Sequence, residues 1–300
     1  SWSPYHGAVY AVTDSIAKIV AAGGNMDSIR FTFQEYFKRM TDDSRRWSAP
    51  FTALLGAYSA QLAYGLPSIG GKDSMSGTFE KVDVPPTLVS FAVDTASSKN
   101  IITPEFKTAG NKIIKFTIPT DKFDLPVYSE VKKLYKGIEK AIKSGAVVSA
   151  YALDEKGIAP AVSKMAFGNR TGVSISDRLA AEELFLSETG NVIAEVIPGK
   201  LKDIKVPYSE VGKVTARPEF IYGGMKLKLD EVLDSYNRTL EGVFPTKADK
   251  GKAKDIPEML CDAGSIHICR HKTARPRVFI PVFPGTNCEY DMARAFNLAG

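Results

Sequence analysis

At 300 residues, 44% of them hydrophobic and 24% charged, the chain is long enough for about two domains and apolar enough to bury a core. Its 39 basic and 34 acidic residues leave a net charge of +5 with no basic stripe interleaved with aromatics, so nucleic-acid binding is not expected. Three cysteines without C-x-x-C spacing argue against a disulfide frame or zinc site and fit a reducing cytoplasm, and no apolar run reaches the roughly 20 residues that span a bilayer.

Val9, Val12, Ile16, Ile19 and Val20 recur at helical spacing, which predicts a helix over Gly7 to Ala22 ended by Gly23-Gly24-Asn25. Asp14 and Lys18, four apart, share one face of it. A short amphipathic segment is expected over Phe31 to Met40. Pro50 then opens a helix through Tyr64 whose Ala53, Leu54, Leu55, Ala57, Ala60 and Leu62 predict burial on most sides. That helix runs into Leu66-Pro-Ser-Ile-Gly-Gly-Lys-Asp-Ser-Met-Ser-Gly-Thr-Phe-Glu80, expected to be a loop.

In this loop Gly70 and Gly71 free the backbone for close approach to a ligand. Lys72, Asp73, Ser74 and Ser76 supply a cation, a carboxylate and two hydroxyls, a set suited to phosphate and a hard metal ion. It is not a P-loop, because Leu66 stands where the first glycine is required and Asp73 where the hydroxyl is required. Gly-Gly-Lys-Asp-Ser is also ordinary turn composition, so on these residues alone a turn and a nucleotide site both stand.

A strand is expected over Pro86 to Asp94, followed by a linker at Thr95 to Asn100. Strands at Asn111–Ile118, Ala146–Leu153, near Val173, at Asn191–Ile197 and at Val211–Val214 alternate with helices near Ser129–Ser144, Gly157–Phe167 and Arg178–Leu186. The alternation predicts a mixed α/β fold. A Lys-, Asp-, Gly- and Pro-rich linker precedes a buried strand at Val278–Phe283 and a helix at Tyr290–Leu298. His267 and His271 with Cys269 imitate a metal cluster but lack a fourth ligand, so no metal is assigned to them. His6 is expected to have a packing role.

With Asp43-Ser-Arg-Arg-Trp47 ahead of the Gly-Gly-Lys-Asp-Ser motif, the chain resembles the phosphoribosylformylglycinamidine synthases in their large single-chain form. Ser3-Pro-Tyr-His-Gly7 is similar to that family's second synthetase-like half, and Pro281-Val-Phe-Pro-Gly-Thr-Asn-Cys-Glu-Tyr290 to the opening of its glutaminase domain. The resemblance implies an α/β architecture of mixed sheets, like that of aminoimidazole ribonucleotide synthetase. The expected parts are the rear of an N-domain (1–97), a C-domain (98–245), a linker (246–275) and the start of a truncated glutaminase domain (276–300). It implies part of a cytoplasmic ligase of purine biosynthesis that uses ATP and glutamine-derived ammonia to convert formylglycinamide ribonucleotide to formylglycinamidine ribonucleotide. The missing domains of the same chain would be its partners, with neither nucleic acid nor membrane, and the piece alone would be inactive. The alternatives are an auxiliary nucleotide-binding half without turnover, or a related ATP-dependent kinase or synthetase.

The resemblance also implies Mg2+ and ATP or ADP as cofactors, with Asp73 and Asp14 as metal ligands and Lys72, Ser74 and Ser76 as phosphate contacts. No catalytic residue is expected in this part. Lys18 departs from the family pattern, standing where a metal-binding amide is expected. Cys288 matches the first loop of the glutaminase rather than its nucleophile elbow, since no glycine lies two residues to either side.

Overall fold

The computed structural model describes residues 3–247, 268 and 270–299. Helix α1 (Pro4–Ala21) starts where Ser3 Oγ accepts from the backbone N–H of His6, with proline in the first turn. Its Val9, Val12, Ile16 and Val20 are fully buried. It packs against α2 (Ser44–Tyr64), which Asp43 caps by accepting from Arg45 N–H and Gly65 ends in the left-handed conformation.

The segment expected to be amphipathic over Phe31 to Met40 is instead largely strand β1 (Arg30–Tyr36). Phe31, Phe33 and Glu35 alternate with Thr32, Gln34 and Tyr36, a period of two that the longer window obscured. The expected loop is corrected as well. Ser68–Ser74 is strand β2, lying parallel to β1, while the short strands β3 (Thr78–Phe79) and β4 (Val82–Asp83) form a hairpin. Strand β5 (Thr87–Val93) pairs antiparallel with the other edge of β1, giving the order β2-β1-β5.

The seven-stranded sheet begins with β6 (Lys112–Phe116), followed by helix α3 (Tyr128–Lys143), β7 (Val147–Ala152), helix α4 (Ile158–Asn169), β8 (Gly172–Ile175), β9 (Val192–Val196) and β10 (Ser209–Thr215). A Gly223-Gly224 turn joins β11 (Glu219–Tyr222) to β12 (Met225–Lys228), both glycines having positive φ. The order is β12-β11-β8-β10-β6-β9-β7, antiparallel except for β11 beside β8. Alternate residues enter two cores: Ile114 and Ala194 join α1, α2 and α3, whereas Ile113 and Ile193 join α4. The sheet is therefore covered on both faces, and the fold is mixed α/β.

The helix expected over Arg178–Leu186 is only a 3-10 turn at Glu182–Phe185. Asp177 accepts from Gly223 N–H and Leu179 C=O accepts from Tyr222 OH, so this segment is tied to the β11–β12 turn rather than to itself. Helix α5 (Leu229–Glu241) closes the first compact unit, residues 1–246. In the second unit, 247–300, helix α6 (Glu289–Leu298) forms as expected. Val278–Phe283 carries no strand pairing among the described residues, and Phe279 is 88% exposed, so the expected buried strand is not observed. Cys261, His267 and Cys269 lie outside the described residues.

Candidate functional site

Strand β2 carries the site, and its register with β1 decides which side chains meet. Phe33 lies opposite Gly71, Gln34 opposite Lys72, Glu35 opposite Asp73 and Tyr36 opposite Ser74. Because neighbours along a strand point to opposite faces, Asp73 shares the Glu35 face while Lys72 and Ser74 share the Tyr36 face. Lys72 Nζ stands 6.0 Å from the Tyr36 ring centroid. The two glycines serve a different end from the one their composition implies. Neither has a positive φ. At Gly71 a Cβ would fall 2.7 Å from Phe33 O, so this glycine lets the two backbones close up.

Asp73 and Glu35 line a cleft of about 790 Å³ between β1, β2 and the first turns of α2. Trp47, Phe51 and Leu54 form its apolar wall, and each is more than half exposed. Glu35 is buried at 8% exposure and had no place among the expected site residues. Its carboxyl is pushed up to about 7, first by burial, then by the charge of Asp73 and by a hydrogen bond shared with it. Near neutral pH the Glu35 carboxyl is thus poised between its protonated and ionised forms, and a divalent cation held beside Asp73 would favour the ionised one. Magnesium is held by a few carboxylates together with water and substrate phosphates, so this pair fits the ion chemically.

The other expected residues lie apart. Ser74 and Ser76 are not among the cleft-lining residues, whereas Lys72 is. Asp14 sits on α1 outside the cleft, its Oδ2 2.6 Å from Lys18 Nζ. Its Oδ1 is buried without a hydrogen-bond partner. Burial raises the Asp14 carboxyl, Lys18 lowers it, and Asp154 and Glu155 raise it further. Lys18 thus neutralises Asp14 directly. His6 bridges Ser3 Oγ at 2.7 Å and Phe123 C=O at 2.9 Å. A ring nitrogen facing a carbonyl must carry the proton, so Nε2 donates to Phe123 and Nδ1 accepts from Ser3, a clamp on the 121–125 turn.

No family model matches the chain. It is 24% identical over 237 residues to phosphoribosylformylglycinamidine synthase subunit PurL of Thermoplasma volcanium, covering 69% of this chain and 30% of that protein. T. maritima PurL complexed with ATP superposes with a TM-score of 0.58 at 16% identity, covering 76% of this chain and 41% of that one. The same protein complexed with FGAR gives a TM-score of 0.59, covering 77% and 43%. Thiamine monophosphate kinase from Aquifex aeolicus gives 0.52 at 13% identity, covering 76% of this chain and 84% of that one. The chain spans less than half the length of these PurL proteins. Among the described residues no helix is long and apolar enough to cross a membrane. The chain is similar in sequence to PurL, and its mixed α/β fold is the one shared by PurL and thiamine monophosphate kinase.

Proposed function

We propose that this chain is part of a PurL-type ATP-dependent ligase acting in the conversion of formylglycinamide ribonucleotide to formylglycinamidine ribonucleotide, and that its β1–β2 cleft holds a nucleotide through a divalent cation. One observation carries the reading: the Lys-Asp-Ser motif sets Asp73 against the buried Glu35 in a cleft of nucleotide size. Glu35 and Asp73 would hold Mg2+, which would screen the phosphates from the carboxylates. Trp47 and Phe51 offer flat apolar faces to a base, and Lys72 stands at the edge to meet phosphate charge. Asp14 falls outside this set.

With Glu35 and Asp73 engaged by the cation in this reading, no further Asp, Glu, His or Cys among the described lining residues is left to serve as a general base. That favours the auxiliary version of this reading, in which the nucleotide is bound and not turned over. The single-chain form with glutamine as amide donor is part of the same proposal. Its support is the Pro-Gly-Thr-Asn-Cys-Glu motif and the exposed apolar side chains of Phe279, Phe283 and Phe296, which need a covering surface. Cys288, at the N-cap of α6, is not the nucleophile in this reading. Cytoplasmic location goes with it.

Calorimetric titration of ADP into the protein with and without Mg2+ tests the site. Binding that needs Mg2+ and weakens at least tenfold in Asp73→Asn is expected. Equal binding by the variant, or binding indifferent to the cation, overturns the assignment. ATP hydrolysis by this chain alone would refute the auxiliary version.

A further inference from the structure

Between α4, α5 and the β8-β11-β12 end of the large sheet lies a second cavity of about 980 Å³, remote in sequence from the β1–β2 cleft. Helix α5 creates it by standing off the sheet. Leu229, Leu233, Tyr236 and Leu240 form its apolar stripe, yet Tyr236 is 57% and Leu240 58% exposed. An amphipathic helix ordinarily buries such a stripe against the core. Here Phe167 of α4 meets Tyr236 at 5.8 Å between ring centroids, and both rings line the cavity.

The walls have a definite chemistry. Six aromatic rings face the space: Phe167, Phe185, Phe220, Tyr222, Tyr236 and Phe244. The Tyr222 hydroxyl is already spent on Leu179 C=O, so its ring is what the cavity receives. Among the described residues no aspartate or glutamate lines the cavity, whereas Lys156 and Lys164 do. Lys164 Nζ lies 3.2 Å from Tyr151 OH and 3.8 Å from Asp154, so its charge is partly matched. Lys156 is exposed, and among the described residues its Nζ makes no hydrogen bond or ion pair, which leaves a free positive charge at the rim.

We infer that this cavity is a binding site for a small aromatic organic anion, a ring system bearing one carboxylate or sulfonate. The volume is within the range of small-molecule sites, and apolar walls with a few fixed polar groups are their usual composition. Aromatic walls favour rings through edge and offset contacts. The excess of lysine over acid selects a negative head group and disfavours a cation. This site shares no residue with the proposed nucleotide cleft and stands or falls without it.

Anilinonaphthalene sulfonate, an aromatic sulfonate that brightens in apolar surroundings, is the probe. Titrated into the whole protein, it is expected to bind with a fluorescence rise. Ala159→Trp, which fills the cavity, and Lys156→Glu, which reverses the free charge on an exposed side chain, are each expected to weaken binding by about tenfold or more. Leu62→Ser, on the exposed face of α2, is expected to leave it unchanged. Because Lys156 is exposed, its variant reports even where Ala159→Trp does not fold, which circular dichroism reveals. The neutral analogue phenylnaphthylamine is expected to be indifferent to Lys156→Glu. Probe affinity unmoved by Lys156→Glu, or lowered by Leu62→Ser instead, overturns the proposal. So does concentration-dependent dimerisation that Ala159→Trp abolishes without any probe binding, which would make the cavity a protein interface.

Discussion

Glu35→Gln isolates the electrostatics of the β1–β2 cleft. In the folded protein the Glu35 carboxyl titrates at about 7 instead of 4.5, because burial and the neighbouring Asp73 disfavour its ionised form. Between those two values the unfolded chain holds fewer protons at this position than the native one, so stability falls as pH rises through that window. At 1.36 kcal/mol per pH unit the rise corresponds to about 3 kcal/mol, and water at the cleft mouth reduces the expected effect to about 2 kcal/mol. Glutamine keeps the shape and a donor toward Asp73 but cannot ionise. Urea unfolding followed by Trp47 fluorescence is therefore expected to show the two proteins alike at pH 5 and the variant more stable at pH 8, by roughly 2 kcal/mol. Added Mg2+ should narrow that gap at pH 8 by stabilising the wild type alone. A difference between the two proteins that stays constant from pH 5 to pH 8 would refute the reasoning, because it would mean Glu35 is not carrying the strained charge.

Other perturbations follow from the same geometry. Glu195 is fully buried and accepts from Lys107 N–H, Thr108 N–H, the Asn111 amide and Ser149 OH; Glu195→Ala orphans all four and should cost about 3–5 kcal/mol in urea unfolding. Gly71→Val drives a branched side chain into Phe33 O and should loosen β2, lowering the melting temperature and weakening Mg2+-dependent ADP binding together. Asp14→Asn should leave that binding within about twofold and shift stability by less than about 1 kcal/mol, because its Lys18 partner is largely exposed. A tenfold loss of affinity in Asp14→Asn would instead bring Asp14 into the nucleotide site.

Much of the fold could be read directly from the residues. Helix α1 declared itself by Val9, Val12, Ile16 and Val20, and the strands of the large sheet by short β-branched runs such as Lys112-Ile-Ile-Lys-Phe116. What escaped has physical causes. Helix α5 has its five apolar residues, Leu229, Val232, Leu233, Tyr236 and Leu240, at helical spacing but lies beside a charged, weakly buried strand, β12, so neither stands out from a loop. The Gly223-Gly224 pair between Tyr222 and Met225 is a hairpin signal, but the strands on either side of it are short and offer little alternation to frame it. Arg178–Leu186 has helix-forming composition, and only its long-range bonds to Gly223 and Tyr222 divert it, which no local window contains.

At the site the decisive variable was periodicity. Read as a loop, Lys72, Asp73 and Ser74 are free to converge on one ligand. Read as a strand, they must alternate, and the partner of Asp73 is then whatever stands opposite on the adjoining strand. Phe31, Phe33 and Glu35 form one face of β1, and a glutamate that continues a buried phenylalanine face is out of place unless something charged or protonated meets it. That anomaly lies in the residues themselves, and only the period of two over Arg30–Tyr36, hidden in the longer Phe31–Met40 window, brings it out. The carboxylate pair is thus a tertiary product: Gly71 brings the backbones together, the parallel register sets Glu35 opposite Asp73, and α2 supplies the wall that keeps the pair half dry.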